Sequence, residues 1–302
     1  MRRAFNSFLA AASIAFAAVL FSAGFAGASN KPLLLVNAQW LSANSGKVVI
    51  VDVRGSGDYM AGHIPGAINV PLGTLQGPPD AVPYPVKKEE ATLGADGLDI
   101  SKDVVLYGEG REMAYREFWI LDYLGMKNIH VLDGGLEGWK GQTATEKTAL
   151  PATKFIARPD LSKYATTAYV RAHLKKPGVI LLDVRSAGEY HGTDVRALRG
   201  GHIPGAINMD YANNFQKDST TLKSLDELKK MYAKLDKKKE IITYCQTGTR
   251  AANAYFVLKM LGFKRVRDYV PSWIEWGSNE NLPADEVTYL NFVPVLKSLK
   301  KK

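Results

Sequence analysis

Gly62-His63-Ile64-Pro65-Gly66-Ala67-Ile68-Asn69 returns letter for letter as Gly201-His202-Ile203-Pro204-Gly205-Ala206-Ile207-Asn208. Upstream, Val48-Val49-Ile50-Val51-Asp52-Val53-Arg54 reappears as Val179-Ile180-Leu181-Leu182-Asp183-Val184-Arg185. Downstream, Val105-Leu106-Tyr107 before a Gly-containing loop matches Ile242-Thr243-Tyr244, Leu124-Gly125 matches Leu261-Gly262, and Trp139 matches Trp276. The offset is 131 at Asp52, 139 at His63 and 137 at Leu124 and Trp139. Two indels account for it: the second copy gains residues around Tyr190 to Gly200 and loses two further on. The chain is a duplicated domain.

Each copy alternates short apolar runs with helical patterns. Val104 to Tyr107 and Glu240 to Tyr244 are brief, β-branched and followed by turns, the signature of buried strands. Ala251, Ala254, Tyr255, Leu258 and Leu261 recur at helical spacing, and Gly262 closes that helix. Strand and helix in alternation predict an α/β fold with a parallel sheet in each copy. Thr143 to Asp160 has two prolines, small residues and no clear period, which places the linker there. The expected segments are a leader at 1–28, a first domain at 29–145 and a second at 160–302.

The leader is read from Arg2 and Arg3, the uncharged apolar run Phe8 to Phe25, and Ala26-Gly27-Ala28, small residues spaced as a signal peptidase requires. Arg2-Arg3-Ala4-Phe5 bears a faint likeness to a twin-arginine signal. The alternative is an uncleaved N-terminal anchor, because the run is just long enough to span a bilayer. Cleavage implies an exported chain with no stable membrane association. It takes the net charge from +9 to +7. Part of the surplus sits in Lys229-Lys230, Lys237-Lys238-Lys239 and Lys300-Lys301-Lys302, read as solvated faces and a chain end rather than a nucleic-acid surface. A mildly basic protein attracts small anions.

Cys245 is the only cysteine. An exported chain with one cysteine has no internal disulfide, and a lone thiol there is either buried or used. No metal site is expected: the five histidines, His63, His130, His173, His191 and His202, lack ligand spacing. No dinucleotide fingerprint is present, since Gly108-Glu109-Gly110 lacks a third glycine at its required distance. No cofactor is called for.

With these pieces in order, the sequence resembles the rhodanese family, specifically its tandem-domain sulfurtransferases. The resemblance rests on Asp-Val-Arg after a strand, the Gly-His-Ile-Pro-Gly-Ala-Ile-Asn segment, the loop Cys245-Gln246-Thr247-Gly248-Thr249-Arg250, and Trp273-Ile274-Glu275-Trp276-Gly277. It implies two tandem rhodanese-like domains, each a parallel sheet flanked by helices, with the second catalytic. In an ungapped match Gly108 stands at the position of Cys245 and Met113 at that of Arg250, so the first copy lacks both nucleophile and cation. Val270-Pro271 stands where the family pattern has Asp-Gly. The family's tandem enzymes carry basic residues after the cysteine, and mercaptopyruvate enzymes a small Gly-rich loop. Here Gln246 and Thr247 are neutral.

Cys245 ends a strand and its loop runs into a helix, so backbone N–H groups and the positive helix end converge on the side chain. Such a site is expected to lower the thiol pKa, and the thiolate is the form that attacks sulfur. Thr247 and Thr249 are candidate hydroxyl donors, and Gly248 lets the backbone turn. The expected cycle has two steps. Cys245 takes the outer sulfur of a small anionic donor such as thiosulfate, releasing sulfite, and the persulfide passes it to cyanide or a thiol. Arg250, in the loop, and Arg185, by the family resemblance, are candidates for holding the donor anion. For Arg185 a scaffold role stays open, because Arg54 is retained in the copy without a cysteine. Asp183, His202, Pro204 and Asn208 are scaffold by the same logic. Glu189 is a candidate partner of Arg185. Arg196 and Arg199 either line a substrate mouth or lie in a solvated loop. Three other functions compete. A phosphatase of the same fold separates Cys from Arg by five residues, and here there are four. A non-turnover sulfur carrier and a 3-mercaptopyruvate sulfurtransferase would use the same thiol.

Overall fold

The computed structural model describes residues 33–78 and 81–289; the leader and the Lys300-Lys301-Lys302 end lie outside them. Two five-stranded parallel sheets carry the two copies. In the first the order is Leu35–Val36, Ile129–Leu132, Val104–Tyr107, Val49–Asp52, Ile68–Asn69. In the second it is Tyr164–Ala165, Val266–Tyr269, Glu240–Tyr244, Val179–Asp183, Ile207–Asn208. The strands expected at Val104–Tyr107 and Glu240–Tyr244 are present with those bounds, each at the centre of its sheet. Covered on both faces, they read as continuous apolar runs rather than alternating ones.

The helix expected over Ala251 to Leu261 runs Thr249–Met260. It starts earlier because Gly248, at φ 80°, turns the chain directly into it. Gly262, at φ 87°, follows Leu261 as the closing residue. Its counterpart is Met113–Tyr123, and these two helices pack on each other through Tyr115, Phe118 and Phe256, with ring centroids 5.1 and 4.9 Å apart. One apolar core therefore runs through both copies, from Val51 and Leu106 to Ile241, Cys245 and Val266. Separate cores cover the outer faces, with Ile50 and Tyr107 in one and Ile242 and Tyr244 in the other.

The segment Thr143 to Asp160 holds no helix or strand, yet it is pinned down. The backbone N–H groups of Thr153, Arg158 and Asp160 donate to the carbonyls of Gly94, Leu124 and Tyr123, and Phe155 is buried.

The repeated letters build repeated scaffolds. Arg54 Nη2 donates to Asp52 Oδ2 (2.7 Å) and the Gly62 carbonyl (2.7 Å); Arg185 Nη2 does the same with Asp183 (2.6 Å) and Gly201 (2.7 Å). Asn69 Nδ2 donates to the carbonyls of Asp52 and Arg54, as Asn208 Nδ2 does to those of Asp183 and Arg185. His63 stacks on Tyr59 and His202 on Tyr190, at 3.8 and 3.7 Å. Duplicated sequence is here duplicated hydrogen bonding.

Candidate active site

Cys245 follows the central strand of the second sheet, and its backbone is fixed from both sides. Its N–H donates to Ser272 Oγ (3.1 Å) and its carbonyl accepts from Trp273 N–H (3.0 Å). Ser272 Oγ in turn donates to the Tyr269 carbonyl (2.7 Å). Ser272 is fully buried at φ 52°, a left-handed conformation that an L-residue occupies at a cost of about 1–2 kcal/mol. The sequence marks Trp273 only as part of a motif; the clamp that its neighbour Ser272 places on Cys245 shows once strand and helix are placed. Gly248 is required where it stands: at its positive φ, a Cβ would lie 2.8 Å from the Val270 carbonyl oxygen.

The thiol is 1% exposed, more enclosed than a reactive-loop reading suggests. Burial pushes its pKa up, Arg250 pulls it back, Asp268 pushes it further up, and the N–H groups of Ala251 and Thr247 lower it. The outcome is a raised thiol. This corrects the expectation of a lowered one: the N–H groups and the cation converge as the sequence predicts, but desolvation outweighs them. Thr247 contributes its backbone N–H. The hydroxyls of Thr247 and Thr249, expected as donors, make no hydrogen bond to another described residue.

Arg250 is brought to the site and held there. Its Nη1 and Nη2 donate to Glu189 Oε2 (2.7 Å) and Oε1 (2.8 Å), and its guanidinium lies 5.9 Å from the Tyr211 ring. Glu189, expected beside Arg185, is thus the partner of Arg250; burial opposes its ionisation, but Arg250, with Arg196 and the Ser186 N–H, holds the carboxyl below its usual range. Arg185, left open between donor binding and scaffold, is enclosed. Its side chain is 1% exposed, its Nε and Nη2 are committed to Asp183 and Gly201, and it stacks 4.5 Å from the Trp273 ring. With Arg54 in the same bonds, Arg185 reads as scaffold.

Of the insertion's two arginines, Arg199 is buried. Its Nη2 donates to the carbonyls of Trp276, Asn279 and Leu282, so it is neither a mouth residue nor a solvated one. Arg196 stays half exposed, 3.9 Å from Glu189 Oε1, and its carbonyl accepts from Gln246 Nε2 (2.8 Å). Gln246 therefore ties the cysteine loop to the insertion.

The first copy shows what is missing. Leu136 N–H donates to the Gly108 carbonyl as Trp273 N–H does to that of Cys245, confirming the pairing of positions. A side chain at Gly108 would meet Val53 Cγ2 at 2.9 Å, and Gly135 (φ 55°) takes the place of Ser272. Thr220 of the second copy lines what remains, a void of about 10 Å³. Among the described residues no cluster of His, Cys, Asp or Glu could hold a metal ion.

A rhodanese-like domain is matched twice, over residues 37–142 and 166–279, and the chain belongs to this family. Thiosulfate sulfurtransferase of Corynebacterium glutamicum is 32% identical over 274 residues, covering 84% of this chain and 91% of its own length. Those of Pseudomonas aeruginosa and Azotobacter vinelandii are 34% and 33% identical, each over 79% of this chain and 91% of the relative. The activity these likenesses establish is that of a sulfurtransferase, acting between a sulfur donor and an acceptor. Among solved structures, an EanB variant in complex with ergothioneine shares the fold, with TM-score 0.76 and 24% identity over 85% of this chain and 70% of that one.

Proposed function

We propose that the chain moves a sulfane sulfur from thiosulfate, or a similar small anionic donor, through a Cys245 persulfide to cyanide or a thiol. The observation that carries this is the convergence on one sulfur of the Thr247 and Ala251 N–H groups and the Arg250 cation, in the copy that has a cysteine. Buried inert thiols have no need of such donors. The thiolate attacks the outer sulfur, the sulfur–sulfur bond of the donor breaks, and sulfite leaves with the bonding pair. The acceptor then attacks the outer sulfur of the persulfide and frees the thiolate. Among the described residues no histidine acts on the thiol, so its proton passes to solvent before attack, and the raised thiol makes sulfur loading accelerate as pH rises above neutrality.

Arg250 and the half-exposed Arg196, both facing Glu189, are the cations a donor's sulfonate oxygens would meet, with Gln246 and Gly248 shaping the entrance. The leader directs export, which makes the protein periplasmic or secreted once it is cleaved. Among the described residues no helix is long and apolar enough to cross a membrane. Multiple-turnover thiocyanate formation from thiosulfate and cyanide tests the assignment, run beside 3-mercaptopyruvate. Sustained turnover with thiosulfate is expected. A single stoichiometric burst would make the protein a carrier, and preference for mercaptopyruvate would change the donor.

A further inference from the structure

The strand Glu240–Tyr244 and its neighbour Val266–Tyr269 run parallel with Thr243 opposite Asp268. Opposed residues in a ladder share a face and side chains alternate along each strand, so Thr243, Cys245 and Asp268 face the same way. The cores agree: Ile241, Cys245 and Val266 belong to the one shared with the first copy, and Ile242, Tyr244 and Tyr269 to the outer one. A carboxyl thus lies one diagonal step from the nucleophile, on the side turned to the first copy.

Asp268 is fully buried. Its Oδ2 accepts from Nη1 of Arg116 (3.0 Å), and its Oδ1 has no partner among the described residues. Arg116 comes from the helix Met113–Tyr123 of the first copy and is equally sealed. That copy aims it: Nε donates to Gln76 Oε1 (2.8 Å), Nη2 to the Ala81 carbonyl (2.7 Å), and the guanidinium lies 4.7 Å from the Trp119 ring. An uncompensated carboxylate in this dry place would oppose a thiolate or persulfide anion beside it.

We propose that Asp268 and Arg116 are a positioning pair for Cys245, in which the copy without a nucleophile supplies the cation that offsets a carboxylate behind the nucleophile of the other. The ease with which the sulfur ionises is then set across the contact between copies. This rests on the reading of Cys245 as the sulfur carrier. Burial pushes the Asp268 carboxyl up to about 7 and Arg116 holds it down, while Asp268 is among the groups that raise the thiol. One cation thus serves two acids, and an ionised sulfur favours a proton on Asp268, whose Oδ1 is free to carry it.

The other charged or titratable groups around the pair are few. Arg250 acts on the sulfur and is compensated by Glu189, with Glu112 and Tyr211 beyond it. Glu89 and Tyr164 act on Arg116, and Tyr255 faces Asp268 from the helix Thr249–Met260.

The test is the pH profile of Cys245 alkylation by iodoacetamide in the full chain. Asp268→Asn should lower the apparent thiol pKa by about one unit, roughly tenfold faster alkylation near neutrality. Adding Arg116→Met to it should reverse most of that shift, and Arg116→Lys alone should leave the profile in place. A purely structural pair would move the melting temperature and not the profile, so a folded Asp268→Asn with the wild-type profile overturns the proposal. If that variant does not fold, carboxyl-labelled aspartate in the unaltered pair is titrated by NMR. The carboxyl near 7 should titrate higher in thiosulfate-treated protein than in Cys245→Ser, and equal midpoints overturn the proposal. Mass measurement of sulfur uptake separates the failures: uptake without a shift removes the pair alone, whereas no uptake by wild type removes the carrier reading.

Discussion

Arg185 and Arg250 are the two arginines of the second copy that the sequence offers for the donor anion, and their partners divide them. Arg185 is closed into Asp183 and the Gly201 carbonyl, bonds that Arg54 repeats where there is no cysteine. Among the described residues Arg250 is paired only to Glu189, through its two terminal nitrogens, and its side chain remains 15% exposed. Arg250→Ala should cut kcat/KM for thiosulfate about 10- to 100-fold, the scale of one lost charge-assisted hydrogen bond. The variant also leaves Glu189 buried with only Ser186 and the more distant Arg196 as partners, so Arg250→Ala with Glu189→Gln is the proper comparison. Unchanged kinetics in both would give Arg250 another task. Cys245 and Arg250 were legible because the first copy, with Gly108 and Met113, acts as an internal control. The Glu189 pairing was not, because the bond closes across 61 residues. Nothing in the letters around Asp268 says that a first-copy arginine lands on it.

At the scale of elements, each copy ends its central strand on a turn that is held by the start of a later helix. In the first copy that position is Gly135, at home with φ 55°; in the second it is Ser272, strained at φ 52° but carrying the hydroxyl that holds Cys245 N–H. Ser272→Ala keeps the strain and leaves a buried N–H without an acceptor, a loss of about 1–3 kcal/mol. Ser272→Gly loses the same acceptor but relieves the left-handed strain, so it should be the more stable variant by about 1 kcal/mol. Both should load sulfur more slowly. Equal unfolding midpoints in denaturant would show that the backbone at this turn is not strained. The periodic pattern announced the two central strands to the residue. The helix start it missed, because Gly248 turns the chain three residues before Ala251, the first apolar position.

For the molecule as a whole, duplication placed like helices against each other, Met113–Tyr123 on Thr249–Met260, and sealed several charges between and behind them. The sequence announced two copies; which faces would meet was not legible, since both faces of each sheet are apolar. Glu89 is one result: fully buried, both oxygens unpartnered among the described residues, its carboxyl pushed up to about 8 by burial although Arg116 lowers it. A carboxyl raised on folding binds its proton more tightly in the folded state, so its contribution is complete below about 4.5 and is lost as pH rises to about 8. Glu89→Gln should therefore be relatively more stable than wild type at pH 8.5 than at pH 5 in denaturant unfolding. A difference independent of pH would mean that Glu89 is ionised in the folded protein.

The central claim is that Cys245 carries the transferred sulfur. Intact-mass and peptide mass spectrometry after incubation with thiosulfate tests it directly. One added sulfur atom, confined to the peptide containing Cys245 and absent from Cys245→Ser, is the expected result. No addition to the wild type, or the same addition to the serine variant, would contradict the account.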